Sequence, residues 1–215
     1  MFKRLLNMNL PDKKSAFLWG ARQTGKSTYL KCRFPNAIYY DLLKSNELLR
    51  FTKEPQLLRE EILALTKKQA EQIIIIDEIQ KLPILLNEVH WLIENSQAQF
   101  ILCGSSARKL HRSGTNLLGG RALRFNFFPL TFSEIPDFNL LTALNNGLIP
   151  SHYLSESVNP LLEAYVIDYL NEEIRAEALV RNLANFSRFL DSVGFSSNQM
   201  VNYSNIARDC GVSAK

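Results

Sequence analysis

The stretch "SAFLWGARQTGKSTYLKC", residues 15–32, constrains this chain more than any other. Its opening, "SAFLWG", is short and apolar, as a buried strand should be. Gly20-Ala21-Arg22-Gln23-Thr24-Gly25-Lys26-Ser27 then fits Gly-x-x-x-x-Gly-Lys-Ser/Thr at every position. "KSTYLKC" reads as a helix start. Strand, glycine-bounded loop and helix in this order form the context in which such a loop holds a nucleotide phosphate. Gly20 and Gly25 let the backbone curl so that its N–H groups point inward. The helix N-terminus adds partial positive charge. Lys26 is expected to bridge the β- and γ-phosphates and Ser27 to place its hydroxyl on Mg²⁺. Thr28 is expected to contact the α-phosphate side.

Two further strands end in chemistry that suits such a loop. "QIIIIDEIQKLP", residues 72–83, is an isoleucine run ending in Asp77-Glu78. Consecutive β-branched residues favour a strand buried on both faces, at the centre of a parallel sheet. Asp77 is expected to hold Mg²⁺ through water. Glu78, one residue further, is expected to polarise the attacking water. "QFILCGSSARKL", residues 99–110, is a second apolar strand, ending in Gly-Ser-Ser. Active sites of open parallel sheets lie beyond the carboxyl ends of the strands. Ser105 and Ser106 are therefore both candidates to touch the γ-phosphate or the lytic water, and both are also ordinary helix caps.

Strands and helices alternate along the rest of the chain. "NAIYYDLL" reads as a second strand, "KSNELLRF" and "PQLLREEILALTKK" as helices, "PILLNEVHWLIENS" as a helix, and "GGRALRFNFFPL" as a fifth strand. This pattern predicts an α/β fold, a P-loop three-layer sandwich around a five-stranded, mainly parallel sheet. We read residues 1–148 as this domain, 149–194 as a helical lid region, and 195–215 as the start of a helix-turn-helix or winged helix. In the second region "NPLLEAYVIDYLNEEIRAEALV" and "RNLANFSRFLDSVG" read as helices, the second stopped by Gly194. In the third, Tyr203-Ser204 caps a short helix, and Ser213 reads as the N-cap of another that the chain does not reach. A truncated winged helix is the expectation.

Charge and composition narrow the partners. The net charge is only +4, but eight of the first 33 residues are Lys or Arg, against one acid. No acid falls between Glu94 and Glu134, whereas Arg108, Lys109, Arg112, Arg121 and Arg124 do. Such stretches suit a polyphosphate, an acidic neighbour or a nucleic-acid backbone, or form a solvated basic surface. No apolar run approaches the roughly 20 residues of a membrane span, so no membrane partner is expected. The three cysteines show no metal or redox spacing, and a cytoplasmic setting is expected. His90, His111 and His152 share no ligand spacing, so no metal other than Mg²⁺ is assigned. Trp91 and Phe100 are expected in the core, with Cys103 an inert thiol on a buried strand.

Four motifs in order, "GARQTGKST", "IIIIDEIQKLP", "LCGSSARKL" and "LGGRALRFNFFPLTFSEI", resemble the predicted ATPases of bacteria and archaea in the AAA+ superfamily. Those carry an N-terminal AAA domain, a winged helix and a C-terminal domain of unknown function, and they are longer than this chain. The resemblance implies a Walker A loop over Gly20–Thr28 and a Walker B pair at Asp77-Glu78. It implies that Ser105 or Ser106 stands in the sensor-1 position, and that Arg121 is similar to the family's basic residue near the nucleotide. Arg121 first, and Arg108 second, are the candidates for an arginine that stabilises the transition state of hydrolysis, in its own subunit or in a neighbour's. Arg175 and Arg181 are the nearest candidates for a lid arginine.

Two functions follow as expectations. One is Mg²⁺-dependent ATP hydrolysis by a possible homo-oligomer, coupled to a protein or DNA partner through the C-terminal region. The alternative is a nucleotide-gated switch or DNA-binding regulator with little turnover. A small-molecule kinase fits less well, because an Asp-Glu pair suits water activation. A GTPase lacks its Asn-Lys-x-Asp guanine reader here.

Overall fold

The computed structural model describes residues 2–11, 14–65, 72–105, 110, 118–169, 174 and 182–213. The chain divides into two compact units, residues 1–156 and 157–215. In the first unit the elements run β1 (Ser15–Trp19), α1 (Lys26–Arg33), β2 (Ile38–Asp41), α2 (Ser45–Lys53), α3 (Leu57–Leu63) and β3 (Ile73–Asp77). A 3₁₀ turn (Ile79–Lys81), α4 (Leu85–Asn95), β4 (Gln99–Gly104) and β5 (Ala122–Asn126) follow. A second 3₁₀ turn (Phe132–Glu134), α5 (Leu140–Asn146) and α6 (Pro150–Tyr153) complete the unit.

The five strands form one sheet in the order β2-β3-β4-β1-β5, and every neighbouring pair is parallel. Burial explains the arrangement. All five residues of β1 are buried, and β3 and β4 are buried beyond their first residues. Strands covered on both faces belong at the centre of a parallel sheet. Alternate side chains divide between two cores. Phe17, Trp19, Ile74, Ile76, Phe100 and Leu102 pack on one face, against Phe51, Leu58, Leu85, Val89 and Leu92 of α2, α3 and α4. Ala16, Leu18, Ile75, Ile101 and Cys103 pack on the other, against Tyr29 and Leu30 of α1, with Met8 and Phe127. The result is the three-layer sandwich expected from the alternation of elements, with its parallel sheet. Each large side chain buried this completely contributes about 1.5–3 kcal/mol through removal from water.

Two core expectations divide. Phe100 is fully buried, whereas Trp91 is 40% exposed. Trp91 lies on the outer side of α4, where the Arg59 guanidinium stands over its ring at 5.2 Å. Amphipathic spacing alone does not tell a ring on the inner face from one at its margin.

The second unit contains α7 (Asn159–Tyr169), α8 (Leu183–Phe195) and α9 (Tyr203–Cys210). Asn182 caps α8 by accepting from the Ala184 and Asn185 amides. Gly194 does not stop α8. It keeps a non-left-handed backbone, and the helix ends at the Ser196 cap. A glycine ends a helix when it takes the left-handed conformation just past the last turn, as Gly211 does after α9 with φ +67°. The cap of α9 is Asn202, which accepts from the Asn205 amide, rather than the Tyr203-Ser204 pair. The helix expected after Ser213 lies outside the described residues. No helix among the described residues is long and apolar enough to cross a membrane.

Candidate functional site

The carboxyl ends of β1, β3 and β4 gather the site. β4 lies between β1 and β3, so the loop after Trp19, the Asp77-Glu78 pair and Ser105 share one edge of the sheet.

The loop after β1 has two positions that only glycine suits. Gly25 has φ +94° and caps α1. A Cβ on Gly20 would stand 2.1 Å from the carbonyl oxygen of Phe127, so the loop passes directly against backbone there. Gln23, with φ +61°, takes the left-handed conformation without being glycine. Thr24 is buried, and its hydroxyl donates to the Ala21 carbonyl at 2.8 Å. Ala21 and Gln23 are exposed, Arg22 is half-buried, and Thr28 is exposed on the first turn of α1. That first turn holds no acidic residue, which leaves the positive end of the helix open to an anion. Lys26 is buried, and its Nζ donates to the carbonyls of Gly20 (2.7 Å) and Ala21 (2.9 Å).

Ser27 and Asp77 meet: the Ser27 hydroxyl donates to Asp77 Oδ2 at 2.6 Å. The Tyr39 hydroxyl, from β2, donates to the same oxygen. Burial first, then the adjacent Asp77 carboxylate, pushes the Tyr39 phenol well above its ordinary range, so it remains a donor. Tyr39 was not legible as a site residue, because its partner lies 38 positions away on a neighbouring strand. A hydroxyl beside a buried carboxylate is a hard-oxygen donor set. Mg²⁺ takes one or two carboxylates and completes its shell with phosphates and water, so these residues fit that ion. Among the described residues no His, Cys, Asp and Glu cluster forms a closed metal cage.

Glu78 follows in the left-handed conformation, φ +59°, and its amide donates to Asp77 Oδ1 at 3.0 Å. Such a non-glycine residue costs of order 1–3 kcal/mol and persists where its surroundings hold it. Its carboxylate accepts from the side-chain amide of Gln80, which also donates to Ser105 Oγ at 3.1 Å. Gln80 is a second residue the sequence reading did not single out. Burial raises the Cys103 thiol well above its usual value, in keeping with an inert side chain. Ser106, Arg108, His111, Arg175 and Arg181 lie outside the described residues.

Arg121 is not near the phosphate loop of its own chain. β1 and β5 run parallel with Ser15 opposite Ala122 and Trp19 opposite Asn126. Arg121 therefore stands at the amino edge of the sheet, and the loop at the carboxyl edge. The five-residue strand between them spans roughly 16 Å, farther than an arginine side chain reaches. Its guanidinium pairs with Glu94 at the end of α4 and donates to the Gly119 carbonyl at 3.1 Å.

The N-terminal segment is fastened to this edge by Arg4, a third residue missed in the sequence. Arg4 donates to the Thr24 carbonyl (2.8 Å), to the Phe128 and Pro129 carbonyls (2.6 and 3.2 Å) and to Glu134 Oε1 (3.1 Å). Its guanidinium also stacks over Phe127 at 4.1 Å. Glu134 accepts in turn from the amides of Leu5 (2.6 Å) and Thr131 (3.0 Å). Beside this anchor opens a cleft of about 830 Å³. Phe2, Leu5, Thr24, Gly25, Ile135 and Pro150 are among its walls.

Burial alone raises the Glu134 carboxyl, but the Leu5 amide, Arg4 and the Thr131 amide outweigh it and hold it below the ordinary carboxylate range. A carboxylate depressed in the fold stabilises it above the unfolded pKa near 4.3. That stabilisation is lost as pH falls through the lower folded value. Breaking a pair this buried, with side chains 10% and 4% exposed, costs about 3 kcal/mol. Glu134→Gln is therefore expected to lower the melting temperature at pH 7, with the gap to wild type narrowing in acid. Melting curves across pH check it.

A family profile described as an AAA domain matches residues 12–136, and one described as a domain of unknown function matches residues 139–215. No curated protein matches the chain. Among solved structures the chain is similar to domain III of the Thermotoga maritima replication initiation protein DnaA, at 16% identity and a TM-score of 0.39. That match covers 93% of this chain and 84% of that one. It is also similar to the ORC2 protein of Aeropyrum pernix in its ADP form, at 11% identity and a TM-score of 0.42. There 92% of this chain and 62% of that one are covered, so the chain spans less than two thirds of that relative. The AAA profile spans more than half of the chain, over the whole sheet and its loop, and the chain belongs to the AAA domain family.

Proposed function

We propose that the chain binds ATP with Mg²⁺ at this edge of the sheet and hydrolyses it. The observation that carries the reading is the convergence of Lys26, Ser27, Asp77 and Glu78 at the ends of two strands, with Ser27 Oγ 2.6 Å from Asp77. The two loop carbonyls that now hold Lys26 give up the ammonium to the more basic β- and γ-phosphate oxygens. The loop amides and the start of α1 cradle the phosphates, with Gly20, Ala21, Arg22, Gln23, Thr24, Gly25 and Thr28 forming the cradle. Ser27, and Asp77 through water, would hold Mg²⁺, which would neutralise charge on the nucleotide's phosphates. Glu78 orients and polarises the attacking water, and Ser105, with Ser106 as its alternative, contacts the γ-phosphate. The apolar cleft beside Thr24 and Gly25 suits the nucleoside.

The transition-state arginine is Arg121, supplied to a neighbouring subunit's site, because its own loop is out of reach. This makes an oligomer part of the enzyme. The C-terminal region meets a protein or DNA partner in the cytoplasm.

A second reading is a nucleotide-gated switch, in which binding alone rearranges the C-terminal helices. The division into two units favours it. Glu78→Gln separates the readings. It is expected to keep ATP affinity within a few-fold and to lower phosphate release by about 10²-fold or more. A Glu78→Gln chain with wild-type turnover removes Glu78 from the chemistry. A wild-type chain that binds ATP tightly and never releases phosphate leaves the switch.

A further inference from the structure

We propose that Gln80 is a positioning residue that holds the Glu78 carboxylate over the end of β4, facing the phosphate loop; this rests on the ATPase reading above. Gln80 lies in the 3₁₀ turn just after Glu78 and is 5% exposed. Its Nε2 donates both to Glu78 Oε2 and to Ser105 Oγ. The amide has only two N–H donors, so both are committed to the site. Its orientation is set by chemistry, since a flipped amide would point its carbonyl at the Glu78 carboxylate.

The other end of the amide shows that the residue is not simple filling. Gln80 Oε1 is buried and has no donor among the described residues. A leucine would fill the same space without stranding an acceptor. The space itself is kept open by Gly104, the last residue of β4. A Cβ there would stand 2.2 Å from Gln80 Oε1 and 2.8 Å from the Trp19 ring. The glycine of "CGSS" thus makes room for the amide that reaches Ser105.

The strand order gives the tether its direction. β4 separates β3 from β1, so a bond from Glu78 to Ser105 through Gln80 draws the carboxylate away from β3 toward the loop that follows β1. Glutamate has three rotatable side-chain bonds, and a carboxylate fixed near its working position loses less on reaching the transition state.

The test is steady-state and single-turnover phosphate release from Mg·ATP by the full chain, its Gln80→Leu and Glu78→Gln variants, and the double variant. Gln80→Met serves as a second substitution should Gln80→Leu lower the melting temperature. The expected result is a fall in kcat of about 10–100-fold, with KM and ATP affinity unchanged. In the Glu78→Gln background the same substitution is expected to cause no further loss, because it acts through that carboxylate. A kcat that stays the same or rises overturns the proposal, as does a loss that persists in full in the Glu78→Gln background. Loss in Glu78→Gln without loss in Gln80→Leu or Gln80→Met overturns this inference alone. A wild-type chain without phosphate release overturns the ATPase reading and this inference with it.

Discussion

Lys26→Ala is expected to abolish ATP binding, weakening it by about 10²-fold or more, while leaving the fold intact. Lys26 is a buried ammonium held by two neutral carbonyls of its own loop, Gly20 and Ala21. Charge-assisted bonds to phosphate oxygens are shorter and roughly twice as strong as neutral ones, so the ammonium has more to gain from a nucleotide than from these carbonyls. Removing it takes away a buried positive charge that two loop carbonyls hold at the start of α1. The loop keeps its shape through Thr24 and the Gly25 cap of α1. Calorimetric titration with ATP checks the affinity, and a melting curve checks the fold. Wild-type affinity in Lys26→Ala would place the nucleotide elsewhere.

Arg121→Ala is expected to lower turnover by about 10³-fold at concentrations where chains associate, a factor typical of an arginine supplied in trans. ATP affinity is expected to stay unchanged, since Arg121 lies at the far edge of the sheet from its own loop. Its present partner, Glu94, is an exposed carboxylate whose affinity for protons the arginine lowers. Exposed pairs of this kind are readily exchanged, so a neighbour's phosphate can take the guanidinium over. Mixing supplies the decisive arm. A Lys26→Ala chain cannot hold ATP but keeps Arg121, and an Arg121→Ala chain does the reverse. Activity that returns on mixing the two is the signature of a shared site. Two inactive variants that stay inactive together would assign Arg121 to structure.

Much of the candidate site could be read from contiguous residues. The loop 20–28, the Asp77-Glu78 pair and Ser105 each end a strand whose burial is written in its own composition, and parallel strands bring their carboxyl ends to one edge. What escaped depends on pairs distant in sequence. Tyr39 reaches Asp77 only because β2 lies beside β3, and Arg4 reaches Glu134 across 130 positions. Gln80 stands two residues from Glu78, yet its role needs Ser105, 25 positions on, and the space at Gly104. Arg121 shows the opposite limit. A glycine-arginine step before a strand marks a position, but only the sheet register tells that the position is at the amino edge. Trp91 and Gly194 depart from expectation for a local reason, since helical spacing and a lone glycine do not report what packs around them.

On the proposed function, the chain is an ATPase whose sites are completed between subunits. Phosphate release from Mg·ATP per chain, followed across protein concentration for wild type and Glu78→Gln, tests it most directly. The expected result is a specific activity that rises as chains associate and is lower by about 10²-fold or more at every concentration in Glu78→Gln. A specific activity independent of concentration and retained in Glu78→Gln would contradict it.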